Sequence, residues 1–448
     1  MKNKYENIID YIESLIEKKK LSQGQRLPSI RYLANEFGFS KSTIIRAYNE
    51  LEANHKIYSI PKGGYYLVEK LDIETQDYDT INFLDAVPDS RLLPYKEFNH
   101  CINRAVEQYK NKIFTYIESQ GLDSLRKTLA GHFQESQIFT SKENIFITSG
   151  AQQALSILCS ISFPNGKKSI LVEQPTYNLM QRLAELSDIN LVGIERTEKG
   201  LDFKELERIF KEEDIKFFYT IPRLHNPLGV SYSEKEKRKI AELAGKYDVY
   251  IVEDDYLADI DINKKAQSIY YYDISNKVIY VKSYSKAFMP GIRIGAVVLH
   301  KNLIEEFAKF KRYNDLNTSV VAQGALEIFI NSGMYKNHCK KVQKAYKKKM
   351  DVVKLIFASM ESEVRHKMEV YVPETGFFLW IKLADEINAD FFIEKLKSKK
   401  VFVSSAKEYF IKRNTKENCF RISISSLTDE EIKTGLMILI KEIADINI

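Results

Sequence analysis

The chain contains 448 residues, of which 44% are hydrophobic and 29% are charged, with 18 Gly and 10 Pro. This composition excludes a disordered, collagen-like or low-complexity protein and predicts a globular one. Its four cysteines lie far apart in the sequence, so we expect neither a disulfide framework nor a bound metal. No signal-peptide pattern and no long apolar run occurs, so we expect a cytoplasmic protein.

The positive charge is unevenly distributed along the chain. The 67 Lys and Arg residues exceed the 61 Asp and Glu residues by 6. Residues 1–70 alone contain 12 Lys and Arg against 8 Asp and Glu, a net charge of +4. A local positive excess is typical of a module that binds an anion, although a solvated surface gives the same count.

Apolar spacing predicts three helices at the start of the chain. The first helix runs from Tyr5 to Ile16, the second is capped by Ser29 and ends at Gly38, and the third begins after Ser40. The third helix turns an apolar face inward, formed by Ile44, Ala47, Tyr48 and Leu51. Its polar residues are therefore expected on the outer face.

Two strand-like runs follow the third helix and predict a β-hairpin. The runs, Lys56–Ile60 and Tyr65–Val68, flank the turn sequence Pro-Lys-Gly-Gly. The order of three helices and a hairpin places the third helix in the major groove of DNA, where its N-terminus attracts phosphate.

The segment from Gln25 to Val68 resembles the winged helix-turn-helix of GntR-type bacterial regulators. The shared features are a Leu-Pro-Ser-x-Arg-x-Leu-Ala opening and a Ser-x-x-Thr start of the recognition helix. The resemblance implies that residues 1–70 bind DNA through Arg31, Lys41, Ser42, Thr43 and Arg46, and through a wing tip formed by Lys62, Gly63 and Gly64.

This segment departs from the GntR pattern at two positions. Lys41 stands where Arg is usual, which favours a phosphate contact over bidentate readout of guanine. His55 stands where Gly is usual, and we interpret it as a structural residue. The alternative for the module is a small helical unit that binds another protein.

The sequence changes character after residue 70. Residues 71–80 are acidic and weakly patterned and predict a linker. Beyond them, strand-like runs alternate with helical segments, which predicts a mainly parallel, doubly wound α/β sheet. The strand-like runs are residues 145–148, 169–172, 216–220, 249–253, 278–284 and 296–299, and helical segments include 152–163 and 234–247. We predict a larger part over residues 126–305 and a smaller α+β part formed by residues 81–125 and 306–448.

The segment Tyr280–Gly295 carries the strongest chemical signal in the chain. A strand there ends at Lys286, which is flanked by Ser283 and Ser285 and followed by Arg293. Hydroxyls and a guanidinium bind phosphate, and nearby cations keep a lysine amine partly deprotonated. These are the requirements of a lysine that forms a Schiff base with pyridoxal 5'-phosphate.

A second phosphate-binding signal lies upstream. Gly150, Ala151 and Gln152 stand between a strand and a helix, where small residues expose backbone N–H groups at the helix N-terminus. The sequence therefore predicts two groups of residues that converge on one phosphate.

Other segments supply partners for the cofactor ring. Asp254 would keep the pyridine nitrogen protonated, with Asp255 as the less favoured alternative. Tyr256 and Asn226 would hydrogen-bond the phenolic oxygen of the ring, and Tyr177 would stack on the ring face.

Together, in this order, these residues resemble fold type I aminotransferases of classes I and II over residues 81–448. The resemblance implies that Arg421 binds the α-carboxylate of a substrate, with Asn226 beside it, and that Lys286 is the catalytic base. It also implies that Tyr116 reaches the phosphate of a neighbouring subunit, and hence a homodimer.

The fusion of a winged helix to an aminotransferase-like domain resembles the MocR subfamily of GntR-type regulators. The resemblance implies a transcription regulator that binds an operator and senses pyridoxal phosphate or an amino compound through an external aldimine. The alternative is an active aminotransferase with an accessory winged helix. Asn226 favours the enzyme, whereas Leu228 and Ala86, which replace a usual Thr and Gly, favour the regulator.

Overall fold

The computed structural model describes residues 4–18, 21, 25–53, 56–60, 63–67, 80–411 and 418–446. The chain divides into two compact units, Met1–Asp77 and Tyr78–Ile448. His55, Lys62 and nearly all of the predicted linker, residues 71–79, lie outside the described residues. Within the described ranges, no helix is both long and apolar enough to cross a membrane.

The first unit consists of three helices and a two-stranded antiparallel sheet. Its elements are α1 (Lys4–Glu17), α2 (Ile30–Phe37), α3 (Lys41–Ala53), β1 (Ile57–Ile60) and β2 (Gly64–Leu67). The Ser29 hydroxyl caps α2 by accepting a hydrogen bond from the Tyr32 N–H, and Gly38 ends the helix at a φ of 63°. The predicted caps of α2 are therefore confirmed.

The second unit is built around an eight-stranded mixed sheet. Its first half contains β3 (Ile81–Asn82), α4 (Tyr95–Tyr109), α5 (Asp123–Gln134), β4 (Ile145–Thr148), α6 (Ala151–Ser160), β5 (Ser169–Gln174), α7 (Asn178–Leu186), β6 (Leu191–Thr197), β7 (Gly200–Leu201), α8 (Phe203–Glu212), β8 (Ile215–Thr220), α9 (Glu234–Tyr247) and β9 (Tyr250–Asp254). Its second half contains β10 (Val278–Ser283), β11 (Gly295–Val298), α10 (Lys301–Asp315), α11 (Val320–Asn331), α12 (Met334–Ala358), α13 (Ser362–Arg365), β12 (Met368–Val370), β13 (Phe378–Leu383), α14 (Ala389–Ser398), β14 (Val401–Phe402), β15 (Ser404–Ser405), β16 (Cys419–Ser423) and α15 (Asp429–Ala444).

The large sheet has the strand order β4-β11-β10-β9-β8-β5-β6-β7. The pairs from β10 through β9, β8 and β5 to β6 are parallel, whereas β11 and β7 pair antiparallel with their neighbours. Alternate residues of the buried strands face opposite sides: Leu171 packs with α8 and α9, and Val172 packs with α6. The predicted mainly parallel, doubly wound sheet is confirmed.

A smaller antiparallel sheet, β12-β13-β16-β15, lies under α12, α14 and α15, and β3 pairs parallel with β14 beside it. The structure corrects the predicted division of this unit. Phe98 of α4 and Leu125 of α5 belong to the same apolar core as Ile145 of the large sheet, and Phe307 of α10 also joins a core of that sheet. The helical pattern of these segments did not show which sheet their apolar faces cover.

Candidate active site

One cavity of about 720 Å³ opens beside the carboxyl ends of the parallel strands. It is lined by eleven of the residues that the sequence singled out for cofactor or substrate: Ala151, Gln152, Tyr177, Asn226, Asp254, Tyr256, Ser283, Ser285, Lys286, Arg293 and Arg421. Ligands of open α/β sheets bind at this edge because successive strands deliver their following loops there. The structure thus brings together residues that are far apart in sequence, while their individual roles stay predictions.

Lys286 follows β10 and lies inside the cavity wall. Its ammonium donates a 2.6 Å hydrogen bond to the backbone carbonyl of Ala86. Burial, followed by the charge of Arg421, lowers the pKa of Lys286 to about 8, although the carboxylate of Asp254 opposes this shift. The amine is therefore far more often neutral near pH 8 than an exposed lysine, which suits a nucleophile.

The predicted phosphate site combines Arg293 with the N-terminus of α6. The guanidinium of Arg293 donates hydrogen bonds to Ser285 Oγ at 3.2 Å and to the Ser149 carbonyl at 3.1 Å. Gly150 precedes α6 at a φ of 81°, and a Cβ there would lie 2.5 Å from Arg293 Nη2. Glycine is thus required where the helix N-terminus meets the guanidinium.

The end of β9 distinguishes between its two aspartates. Asp254 lines the cavity and accepts a 2.9 Å hydrogen bond from the Tyr219 hydroxyl through Oδ2. Asp255 lies outside that lining and pairs with Arg223 at 2.7 Å, which fixes the base of the loop that carries Asn226. Side chains alternate along an extended strand, so adjacent aspartates serve different sides.

Asp254 carries a buried oxygen that is open to a ligand. Its Oδ1 has no hydrogen-bond partner among the described residues, and the side chain is 4% exposed. Burial raises the pKa of Asp254 to about 7, although the Tyr219 hydroxyl lowers it. A buried acceptor without a donor costs free energy unless a ligand supplies one. The protonated nitrogen of a pyridine ring is such a donor, so this residue fits pyridoxal phosphate.

The two tyrosines predicted to contact the cofactor ring, Tyr177 and Tyr256, both line the cavity. The Tyr177 hydroxyl accepts a 3.0 Å hydrogen bond from Gln152, and burial raises its pKa to about 12, so it remains protonated. Tyr256 donates its hydroxyl to the Leu224 carbonyl at 3.0 Å. Its predicted hydrogen bond to the cofactor ring would require that proton to change partner.

Arg421 projects from β16 into the opposite wall of the cavity. One amino group donates to Asn226 Oδ1 at 3.2 Å, and the other donates to the Leu84 carbonyl. The guanidinium lies 4.6 Å from the centre of the Phe378 ring. Its Nε is buried and finds no acceptor within the described part of the chain. A planar donor group held in this way suits a carboxylate.

A buried ion-pair network supports the loop that carries Asn226. Glu173 of β5 binds Arg196 and accepts hydrogen bonds from Thr220 Oγ1 at 2.6 Å and from the Ile221 N–H at 3.2 Å. His225 lies 2.9 Å from the same carboxylate. Burial alone would raise the pKa of Glu173, but Arg196 and His225 lower it to about 2. The network thus holds both ends of the segment that places Asn226 beside Arg421.

The structure leaves two predicted cofactor residues, Gly150 and Tyr116, outside the cavity lining and adds several unpredicted ones. Tyr116 does not line the cavity and is 82% exposed. Unpredicted lining residues come mainly from the loop after β3 and from the smaller part: Leu84, Asp85, Val87, Phe378, Ile393, Val403, Ser404, Ser405, Glu408 and Tyr409. They carry no recognisable motif, because only tertiary packing brings them to the site.

The first unit presents its predicted DNA-binding residues on α3 and next to it. Arg31, Lys41, Ser42 and Arg46 are exposed, and Thr43 and Gly63 are half-buried. The Ser40 hydroxyl accepts a hydrogen bond from the Thr43 N–H at 3.2 Å and lies 2.8 Å from Ser42 Oγ. The guanidinium of Arg46 lies 4.3 Å from the centre of the Tyr5 ring. This contact with Tyr5 leaves Arg46 exposed, on the same helix as Lys41.

Comparison with known proteins assigns both units. Residues 92–439 match the model of the aminotransferase class I and II family, and residues 4–67 match the model of the bacterial regulatory proteins of the gntR family. The chain belongs to the class I and II aminotransferase family. It also carries a GntR-type helix-turn-helix domain, the combination found in MocR-type regulators.

The relatives include both regulators and enzymes. The uncharacterized HTH-type transcriptional regulator YcxD of Bacillus subtilis is 41% identical over 98% of this chain and 100% of its own length. Aromatic-amino-acid aminotransferase 1 of Thermococcus litoralis is 28% identical over 83% of this chain and 89% of its own length. The kynurenine aminotransferase of Pyrococcus horikoshii, solved with its pyridoxamine cofactor form, has a TM-score of 0.75 at 27% identity, covering 82% of this chain and 91% of its own. The large unit thus has the fold of pyridoxal phosphate aminotransferases.

Proposed function

We propose that this chain is a pyridoxal phosphate-dependent transcription regulator whose DNA binding responds to an amino compound. The observation that carries the proposal is the presence, in one chain, of an exposed helix-turn-helix face and of a cavity lined by most of the residues predicted to bind the cofactor. The similarity to the regulator YcxD extends over both units, which supports a shared role.

Each cavity residue has a task in holding the cofactor and the ligand. Arg293, Ser285 and the N-terminus of α6 would bind the phosphate, and Asp254 would keep a proton on the ring nitrogen. Arg421 and Asn226 would orient the carboxylate of the amino compound. When bound, pyridoxal phosphate supplies an aldehyde that bonds covalently to amines and a ring that withdraws electrons from the bonded carbon.

Regulation requires that the amino compound binds two arrangements of the protein with different affinities. A homodimer gives such arrangements a direct effect on paired DNA half-sites, since their spacing must match that of two recognition helices. The exposure of Tyr116 supports a contact with the phosphate in a second copy of the chain.

The decisive experiment measures DNA affinity and the cofactor spectrum in the same full-length protein. Duplexes selected by the protein from a random library would be titrated by fluorescence anisotropy with and without each of a panel of amino compounds. We expect a compound that shifts the visible band to change the DNA Kd by about fivefold or more. An unchanged Kd for every compound that shifts the band would refute the regulator.

The second candidate function is an active aminotransferase, favoured by the contact between Asn226 and Arg421 beside Lys286. In that reaction, Lys286 would remove the proton from the α-carbon of the substrate and return it to the cofactor. Release of oxo acid in repeated turnovers would support this function, whereas a stable band shift without oxo acid would support a sensor.

A further inference from the structure

The cavity contains two carboxylates that the cofactor does not use. Asp85 and Glu408 both line it. Asp85 accepts a 2.8 Å hydrogen bond from Asn82 Nδ2, and Glu408 accepts a 3.4 Å hydrogen bond from Ser404 Oγ. Neither carboxylate forms an ion pair with any residue that the structure describes. Both acids are thus available to a cation that enters the cavity.

Both carboxylates belong to segments that contact Arg421. The residue before Asp85, Leu84, accepts a hydrogen bond from the guanidinium through its carbonyl. Ser404, which binds Glu408, lies 2.8 Å from the hydroxyl of Tyr409, whose ring centre is 5.3 Å from Arg421 Cζ. The two acids therefore lie on the substrate side of the cavity rather than on the phosphate side.

Buried polar atoms mark this region as a ligand site independently of the acids. On the substrate side, Arg421 is 6% exposed, yet its Nε lacks a hydrogen-bond partner among the described residues. A ligand that accepts this hydrogen bond removes a desolvation cost from the protein.

A charge balance then defines what else the ligand carries. The cavity wall contains three cations, Lys286, Arg293 and Arg421, and three acids, Asp85, Asp254 and Glu408. The phosphate would pair with Arg293, the ring nitrogen with Asp254 and a ligand carboxylate with Arg421. Asp85 and Glu408 then remain without positive partners. This step rests on the proposed function, because it assumes the bound cofactor.

We propose that the amino compound recognised by this cavity is a diamino acid of the ornithine or lysine class. Its α-amine reacts with the cofactor, its carboxylate binds Arg421, and its distal ammonium lies between Asp85 and Glu408. Because both acids are exposed, their attraction for the ammonium is modest and screened by salt. An amino acid with a second carboxylate meets repulsion at the same place.

Three amino acids with the same carbon chain test the proposal. L-ornithine, L-norvaline and L-glutamate differ at the distal end, which is cationic, apolar or anionic. Each would be titrated into the full-length holoprotein while the visible band is followed at low and high salt. We expect L-ornithine to bind about tenfold more tightly than L-norvaline at low salt, with L-glutamate weakest and the difference smaller at high salt.

Two variants assign the effect to the acids. Glu408→Gln and Asp85→Asn should each weaken L-ornithine more than L-norvaline, and the double variant should bind the two nearly equally. Glu363→Gln, which removes an exposed carboxylate on α13 outside the cavity lining, is the matched control and should leave the tenfold difference intact.

Two outcomes would overturn the inference: equal affinity for L-ornithine and L-norvaline in the wild-type protein, or an unchanged preference in the double variant. Either could occur while ligands still altered DNA affinity, so the regulator would stand without the diamino acid. Conversely, a clear preference for L-ornithine, with no change in DNA affinity for any compound that shifts the band, would support the ligand class and reject the regulator.

Discussion

The cavity of the second unit and the exposed face of α3, formed by Lys41, Ser42 and Arg46 and here called the recognition face, differ in how each would bind the anion proposed for it. The cavity assembles buried groups from eight or more separate segments, and burial shifts the pKa values of Lys286, Asp254 and Tyr177. The recognition face draws most of its residues from one helix, and its charged groups are exposed to solvent. The cavity buries donors for a few groups of fixed geometry, whereas the helix presents charges to an extended polyanion.

This difference predicts how each region responds to substitution. Substitution of a buried group in a low-dielectric cavity removes several strong interactions at once, so a single substitution there should have a large effect on ligand binding. An exposed residue that binds phosphate is one of several such contacts, so a single substitution should weaken DNA binding less, by an amount that depends on salt. Substitutions on the exposed face of α3 should also leave the cofactor spectrum unchanged.

The largest effect is expected from Lys286→Ala, which removes the proposed nucleophile of the cavity. The variant should lose the visible band and any cofactor linkage that borohydride can trap, because no other amine lines the described cavity. Absorbance and mass spectrometry after borohydride treatment provide the measurement. Lys264→Ala, at an exposed position outside the cavity lining, should retain both signals. A trapped linkage in the Lys286 variant would reject this lysine.

The Asp254→Asn variant tests whether burial of the Asp254 carboxylate lowers the stability of the protein without cofactor. In the folded protein, burial raises the pKa of Asp254 from 3.8 to about 7. As the pH rises between these two values, the carboxyl ionises in the unfolded chain but stays protonated in the folded protein. The free energy of unfolding therefore falls over this pH range. The variant should therefore be more stable than wild type at pH 8, by about 4 kcal/mol, with little gain near pH 4.

Thermal unfolding of the two cofactor-free proteins at both pH values measures the difference. Asp385→Asn, an exposed aspartate outside the cavity lining, should show no such pH-dependent gain. With cofactor present the sign should reverse, because the variant cannot keep the ring nitrogen protonated. Equal stability of Asp254→Asn and wild type at pH 8 would mean that solvent reaches this carboxylate.

Arg421→Ala should separate ligand binding from cofactor binding within the cavity. The loss of a charge-assisted hydrogen-bond pair predicts about 50-fold weaker binding of an amino acid, while the visible band of the ligand-free protein persists. Spectral titrations with an amino acid and with the matching amine without a carboxylate provide the test. A similar loss for both compounds would show that Arg421 acts on cavity shape rather than on a carboxylate.

The two regions also differ in how far the sequence could predict them. The predictions of the Ser29 and Gly38 caps and of the inward face of α3 are confirmed. They could be made because these features depend on residues close together in the sequence. Most proposed cofactor residues belong to short motifs, and ten of them line one cavity together with the proposed substrate residue Arg421. The Tyr219 contact to Asp254 carries no local signal, because strand order alone places β8 beside β9.

The wrong assignment of α4 and α10 and the failure to predict Asp85 and Glu408 have the same cause. Amphipathic patterns show that α4 and α10 bury a face but do not name the sheet that covers it. Strand β6 was not predicted because only two of its seven residues are buried and Gly193 interrupts its apolar pattern. Asp85 and Glu408 were likewise not predicted, since their closeness to Arg421 arises from the fold of the smaller part.

Arg46→Ala is expected to give the smallest effect and to complete the comparison. Arg46 is exposed on α3, where its contact with the Tyr5 ring leaves it accessible to a DNA phosphate. Loss of one such phosphate contact should weaken DNA binding about tenfold and reduce the salt slope of log Kd by about one. Anisotropy titrations at several salt concentrations measure both quantities, and the cofactor spectrum should not change. Arg104→Ala, an exposed arginine on α4 that pairs with Glu107, controls for the loss of one positive charge. An unchanged salt slope for Arg46→Ala would remove this residue from the phosphate contacts, because an arginine that pairs with a phosphate necessarily releases counterions when it binds.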